Sequence, residues 1–163
     1  MKISVICHGN IARSQILHHY LDDYAAKASL SIDLFSCGTA PLEAYPDSDD
    51  LLADVQSELK RRGLNASVKR NVLDEEAQQH LVDSDVVLVA DVNRKQEVLS
   101  LLAGKIQAQR VMLFYEFIEE GPKDFVDTYD AEKGAQDPAR FARCFDELER
   151  IAKLAVDRIR RTG

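Results

Sequence analysis

Apolar residues along this chain fall into two patterns, short continuous runs and stripes spaced three and four residues apart. Ile3, Val5 and Ile6 predict a buried strand over 2–6, and Ile16, Leu17, Tyr20, Leu21 and Tyr24 repeat with helical spacing over 14–27. A strand over 30–35 follows, then a loop over 36–47 that carries Gly38, Pro41 and Pro46. Ser48 or Asp49 is placed to cap a helix ending at Gly63, and Asp74 to cap a shorter one through Val82. Residues 85–90 are apolar enough for a strand covered on both faces. A helix over 93–103 closes at Gly104, a fourth strand spans 111–115, and a last helix over 138–160 carries a stripe from Phe141 and Phe145 through Leu148, Ile151 and Leu154 to Ile159.

Strands alternating with helices, joined by right-handed crossovers, predict an α/β fold of three layers. It is a flavodoxin-like, four-stranded parallel sheet of order 2-1-3-4 with helices on both faces. With 163 residues and no internal repeat, low-complexity stretch or linker, the chain reads as a single domain over 1–163. Ligands of such sheets bind beyond the carboxyl ends of the strands, so the segment leaving the first strand is the place to look for chemistry.

That segment is Cys7-His8-Gly9-Asn10-Ile11-Ala12-Arg13-Ser14. A loop between a strand and a helix turns backbone N–H groups toward a common centre, and with the helix N-terminus they make a cradle for a tetrahedral anion. Gly9 permits the turn, Asn10 tolerates a left-handed conformation, and Arg13 supplies a planar fork for two phosphoryl oxygens. Those same positive groups favour the thiolate of Cys7, which makes it a nucleophile, with Ser14 placed to donate a hydrogen bond to the sulfur. His8, Gly9, Asn10, Ile11, Ala12 and Ser14 are the expected phosphate-binding positions around Cys7 and Arg13. The chemistry needs neither metal nor cofactor.

The loop resembles that of the low-molecular-weight protein tyrosine phosphatases, and the likeness runs along the whole chain. Ser36-Cys37-Gly38-Thr39 is similar to the family's Ser-Ala-Gly-Thr, Ala90-Asp91 stands where the family has Met-Asp, and Asp137-Pro138 resembles the Asp-Pro pair that supplies its general acid. The resemblance implies hydrolysis of phosphate monoesters, protein phosphotyrosine above all, through a phosphocysteine, with Cys7, Arg13 and Asp137 as the catalytic residues. Asp124, Asp127 and Asp130 share the polar loop over 116–137. Asp137 is preferred among them because Pro138 stiffens its backbone at a helix start. Ala12 replaces a second loop cysteine, Gln15 a proline, Ser67 a histidine, and Ala139-Arg140 an aromatic pair, the last adding a cation beside the pocket. Tyr45, Tyr115 and Tyr129 are the candidates to replace that aromatic wall.

Two other readings stay open on the sequence. One is an arsenate reductase of a related family, although the two further cysteines of its thioredoxin-linked members have no counterpart in 81–93; the other is a phosphoresidue-binding module without turnover. Composition, 45% hydrophobic and 30% charged, is that of a globular protein, and a net charge of −7 argues against nucleic-acid and anionic-membrane partners. The expected partners are a phosphorylated protein or a small aryl phosphate, with inorganic phosphate and other oxyanions in the loop. No apolar stretch is long enough to span a membrane, and polar residues arrive too early for a signal peptide, so the expected location is cytoplasmic. Cys37 and Cys144 are expected to be buried structural thiols.

Overall fold

The first strand forms the middle of the molecule because it is apolar on both sides. In the computed structural model, residues 1–130 and 135–162 are described, without the side chains of 129, 130, 135 and 136. Strand β1 (Lys2–Cys7) leads into helix α1 (Arg13–Lys27), followed by β2 (Asp33–Gly38), α2 (Ser48–Arg61), α3 (Glu75–Asp83), β3 (Val86–Val89), α4 (Val92–Leu101) and β4 (Val111–Leu113). A single turn α5 (Phe114–Phe117), a small antiparallel pair β5 (Tyr129–Asp130) and β6 (Ala135–Gln136), and the long α6 (Pro138–Thr162) complete the chain.

The main sheet has the order β2-β1-β3-β4 and is parallel throughout. Alternation along β1 divides the core into two layers. Ile3, Val5 and Cys7 face α1, α2 and α6, where Ile16, Leu59 and Phe145 are fully buried, while Ile6 faces α3 and α4 together with Cys37, Leu81 and Val98. Cys7 and Cys37 therefore belong to opposite faces of the sheet. Ser4, on the inner strand, is buried and satisfied by Ser84 at 2.8 Å between hydroxyl oxygens.

Several boundaries differ from the sequence pattern, each for a tertiary reason. β2 starts at Asp33 rather than 30 because its ladder partner, β1, begins at Lys2. β4 stops at Leu113, where Glu116 Oε2 accepts the Leu113 N–H at 2.7 Å and opens the α5 turn. Asp91 caps α4 by accepting the Arg94 N–H at 2.9 Å. Leu154, expected in the apolar stripe of α6, is exposed.

At the carboxyl end of β2, Gly38 allows a close approach that no other residue permits. A Cβ there would lie 2.6 Å from the His8 carbonyl oxygen and 2.8 Å from the Asn10 nitrogen. The end of β2 thus packs backbone to backbone against the loop that follows β1.

Candidate active site

The loop between β1 and α1 is held in shape from below, from the side and from α1 itself. Asn10 takes the left-handed conformation, φ 53°, and its N–H donates to Cys7 Sγ at 3.2 Å. Its side-chain Nδ2 donates to Ser14 Oγ at 2.8 Å. Ser14 Oγ lies 3.0 Å from Cys7 Sγ, and once the thiol is ionised only the hydroxyl has a proton to give, so it donates to the thiolate. The sulfur is therefore met by two hydrogen-bond donors. Asn10 Oδ1 in turn accepts the Asn71 N–H at 2.8 Å and Gln15 Nε2 at 3.1 Å.

Gln15 reaches three acceptors, Asn10 O, Asn10 Oδ1 and Lys69 O, from 2.6 to 3.2 Å. It ties the loop to residues 69–71. Arg70 does the same from the opposite side, with Nε on Gly9 O at 2.7 Å and its other nitrogens on the carbonyls of Pro41 and Leu42 at 2.8 and 2.9 Å. Its guanidinium lies 5.2 Å from the centre of the Tyr45 ring, and that ring passes so near Gly9 that a Cβ there would be 3.1 Å from it.

Arg13 is almost entirely buried and is gripped by two carboxylates. Nη1 donates to Asp91 Oδ2 at 2.9 Å and to the Phe125 carbonyl at 3.2 Å; Nη2 donates to Asp127 Oδ2 at 2.8 Å. Burial, the largest influence, works against the guanidinium charge, but Cys7, Asp127 and Asp91 outweigh it and hold the pKa above the usual arginine value. Asp124 Oδ1 accepts the Val92 N–H at 2.8 Å and the Phe125 N–H donates to Ala90 O at 2.7 Å, so residues 124–127 are laced onto the β3–α4 junction.

Together these residues enclose a narrow pocket of about 30 Å³, the space of roughly one water. Cys7, Gly9, Ile11, Ala12, Arg13, Tyr45, Leu51, Asp127 and Thr128 line it. Of the expected phosphate-binding positions, Gly9, Ile11 and Ala12 are on its wall, while Asn10 and Ser14 act beneath through their contacts with the sulfur. His8 turns away to Thr39 Oγ1 (3.4 Å) and to the edge of Tyr45 (5.9 Å between centres), and burial, followed by the Arg94 charge, lowers its pKa.

Asp137, expected to be the proton donor, is not on that wall. Its Oδ1 accepts the N–H groups of Ala139 and Arg140 at 2.9 and 3.0 Å, which is N-cap geometry at the start of α6. Asp127 stands in the pocket instead. An aspartate before proline at a helix start also satisfies the cap requirement, so the Asp137-Pro138 pattern by itself does not separate a cap from a proton donor. Arg140 opens into a neighbouring cleft, not the pocket, and Tyr115 bonds Glu147 at 3.0 Å away from it; the side chain of Tyr129 lies outside the described residues. The sequence pattern alone gives Asp91, Gln15 and Arg70 no role in the site. The Asp-at-strand-end position of Asp91 was the one signal available for them.

The low molecular weight phosphotyrosine protein phosphatase model matches residues 2–162. The chain belongs to that family. Members of the low molecular weight phosphatase family are hydrolases of phosphate monoesters, and the chain shares their four-stranded parallel fold. Low molecular weight phosphotyrosine phosphatase 2 from Vibrio cholerae O395 superposes with a TM-score of 0.80 at 22% identity, covering 100% of this chain and 99% of that one. A mutant of YwlE from Bacillus subtilis gives 0.79 at 20% identity, covering 98% and 99%. The YwlE arginine phosphatase from Geobacillus stearothermophilus gives 0.76 at 17% identity, covering 99% and 94%. The sequence has no match among curated proteins. No helix among the described residues is long and apolar enough to cross a membrane.

Proposed function

We propose that this phosphatase hydrolyses aryl phosphate monoesters, phosphotyrosine in proteins above all, with Cys7 as nucleophile, Arg13 as anion clamp and Asp127 as the proton-transfer group. The observation that carries the reading is the Cys7 sulfur, met by the Asn10 N–H and the Ser14 hydroxyl, in one small pocket with Arg13 and Asp127. Two donors on a sulfur stabilise its anion, and the anion is the nucleophile.

In the first step the Cys7 thiolate attacks phosphorus, the S–P bond forms and the P–O bond to the leaving group breaks. Protonated Asp127 gives its proton to the departing oxygen. In the second, Asp127 as carboxylate takes a proton from water, the water oxygen bonds to phosphorus, and the S–P bond breaks to return the thiolate and release phosphate. Arg13 and the loop N–H groups hold the equatorial oxygens through both steps, so preorganised charge does most of the work. Asp91, sharing Nη1, fixes the plane of the guanidinium. The ion pair of Asp127 with Nη2 competes with a phosphoryl oxygen for the same nitrogen. Protonating Asp127 weakens that pair, so the form able to donate a proton is also the form that frees the clamp.

The substrate class follows from the wall. Ile11, Tyr45 and Leu51 offer apolar and aromatic surface suited to a tyrosyl ring, whereas a phosphoguanidine needs carboxylates facing its nitrogens, and among the described residues the one on this wall, Asp127, is engaged by Arg13. The deciding experiment compares kcat/KM for matched phosphotyrosine and phosphoarginine peptides, with arsenate reduction as a third arm. Preference for phosphotyrosine is expected. Preference for phosphoarginine, thiol-dependent arsenate reduction, or binding without turnover would each overturn the reading.

A further inference from the structure

Beside the phosphate pocket lies a second cleft of about 270 Å³, walled by Tyr115, Phe125 and Val126, with the buried Cys144 against it and Arg140 and Arg143 exposed at its edge. It is slightly smaller than the ~300–1,000 Å³ of small-molecule sites, and suits one apolar side chain. Tyr115 and Phe125 are stacked at 6.0 Å between centres, and Val126 is 69% exposed.

The charges around the cleft are one-sided. Glu147, its carboxylate, is already used, since it pairs with Arg150 at 2.7 Å and accepts the Tyr115 hydroxyl. Lys123 lies 4.1 Å over the Tyr115 ring. Among the described residues no carboxylate pairs with Arg140 or Arg143. In a chain of net charge −7, two exposed guanidinium groups beside an apolar hollow, with no carboxylate partner among the described residues, form a local positive field with an evident complement.

The cleft is also tied to the catalytic centre. Phe125, Val126 and Asp127 are consecutive, so one wall of the cleft continues into the wall of the pocket, and the Phe125 carbonyl accepts from Arg13. Cys144 is near enough that the charges of Arg13, Asp127 and Cys7 all bear on it.

We infer that this cleft binds the segment flanking the phosphotyrosine of a protein substrate, taking one apolar side chain between Tyr115, Phe125 and Val126 and a neighbouring acidic residue on Arg140 and Arg143. The inference rests on the phosphotyrosine reading above and extends it from the phosphoryl group to the peptide. A substrate seated there presses on the segment 125–127 that holds Asp127, so selection of the sequence and placement of the acid are linked.

The test uses the whole chain and two phosphotyrosine peptides of equal length, one with leucine and glutamate beside the phosphotyrosine and one with serine and glycine. Para-nitrophenyl phosphate is the reference that cannot reach the cleft. The leucine–glutamate peptide should be preferred by about tenfold in kcat/KM, most of it from the charge-assisted hydrogen bonds of the glutamate to the two guanidinium groups. The double variant Arg140→Gln/Arg143→Gln should lose most of that preference and hydrolyse para-nitrophenyl phosphate as the parent does. Fluorescence anisotropy with the unphosphorylated leucine–glutamate peptide separates this inference from the catalytic one. Weaker binding by the double variant supports the cleft even if no phosphate is turned over. Equal binding by both proteins, or an unaltered peptide preference in the double variant, overturns it.

Discussion

Arg70 Nε donates to the Gly9 carbonyl at 2.7 Å, and that carbonyl belongs to the same peptide unit whose N–H, on Asn10, donates to Cys7 Sγ. A peptide unit is planar, so fixing its oxygen on one side fixes its hydrogen on the other. Arg70 thus acts on the Cys7 sulfur, the proposed nucleophile, through one rigid plane without touching it, and is a positioning residue. Arg70→Gln should lower kcat by about 10²-fold, the cost of misplacing reacting groups by an ångström or so, with Arg70→Lys recovering part of the loss. The melting temperature, measured alongside, should change little; a fall in kcat that tracks unfolding would assign Arg70 to stability alone.

Asp127 and Asp137 are separated by a pair of substitutions with opposite readouts. Asp127→Asn should reduce kcat by about 10²–10⁴-fold, most for substrates with poor leaving groups. Asp137→Asn should leave kcat nearly unchanged and keep the N-cap, whereas Asp137→Ala should lose the cap at a cost of about 0.5–2 kcal/mol in urea unfolding. Leaving-group-dependent loss in Asp137→Asn would return the acid role to that residue.

Peroxide should inactivate the protein with little recovery in dithiothreitol. A sulfenic acid at Cys7 needs a nearby thiol to form a disulfide before it is oxidised further. Cys37 is on the opposite face of the sheet with its thiol pKa pushed up by burial, and Cys144 is held protonated by burial as well. Ala12, on the pocket wall with Cys7, is where a partner is missing. Ala12→Cys should restore recovery, and mass spectrometry of the Cys7 peptide should show sulfinic and sulfonic products in the parent. A Cys7–Cys144 or Cys7–Cys37 bond in the parent would refute this.

Stability should fall between pH 6.5 and 4 because of His18. Burial, with a smaller push from His19, lowers its pKa to about 4, while in the unfolded chain it titrates near 6.5. The unfolded state therefore binds the proton first as pH falls, and the stabilisation present above pH 6.5 is lost as pH descends through that window. The cost is on the order of 2–3 kcal/mol. Glu58, whose pKa is lowered to about 2 chiefly by its Arg61 hydrogen bond, adds its loss only at lower pH. Urea unfolding at pH 7 and pH 4.5 should show the drop in the parent and a smaller one in His18→Leu; equal slopes would remove His18 as the cause.

The sequence by itself determined the order of the strands and the shape of the loop from Cys7 to Ser14. Alternating runs and stripes decide which face of each element is buried, and Cys7, Gly9, Asn10, Arg13 and Ser14 lie within eight residues whose neighbours largely fix their geometry. Asn10 at φ 53° and Ser14 at 3.0 Å from the sulfur are consequences of that local chain. Only the tertiary structure decided which carboxylate meets Arg13. Asp127 is 114 residues away and Asp91 is 78, and although Asp91 is marked by its place at a strand end, neither segment shows in its spacing that its carboxylate reaches Arg13. Asp137 carried such a mark, but for a helix cap. Gln15 and Arg70 were hidden for the same reason, since their partners are backbone carbonyls, and a carbonyl is present at every position of a sequence whether or not anything is folded against it.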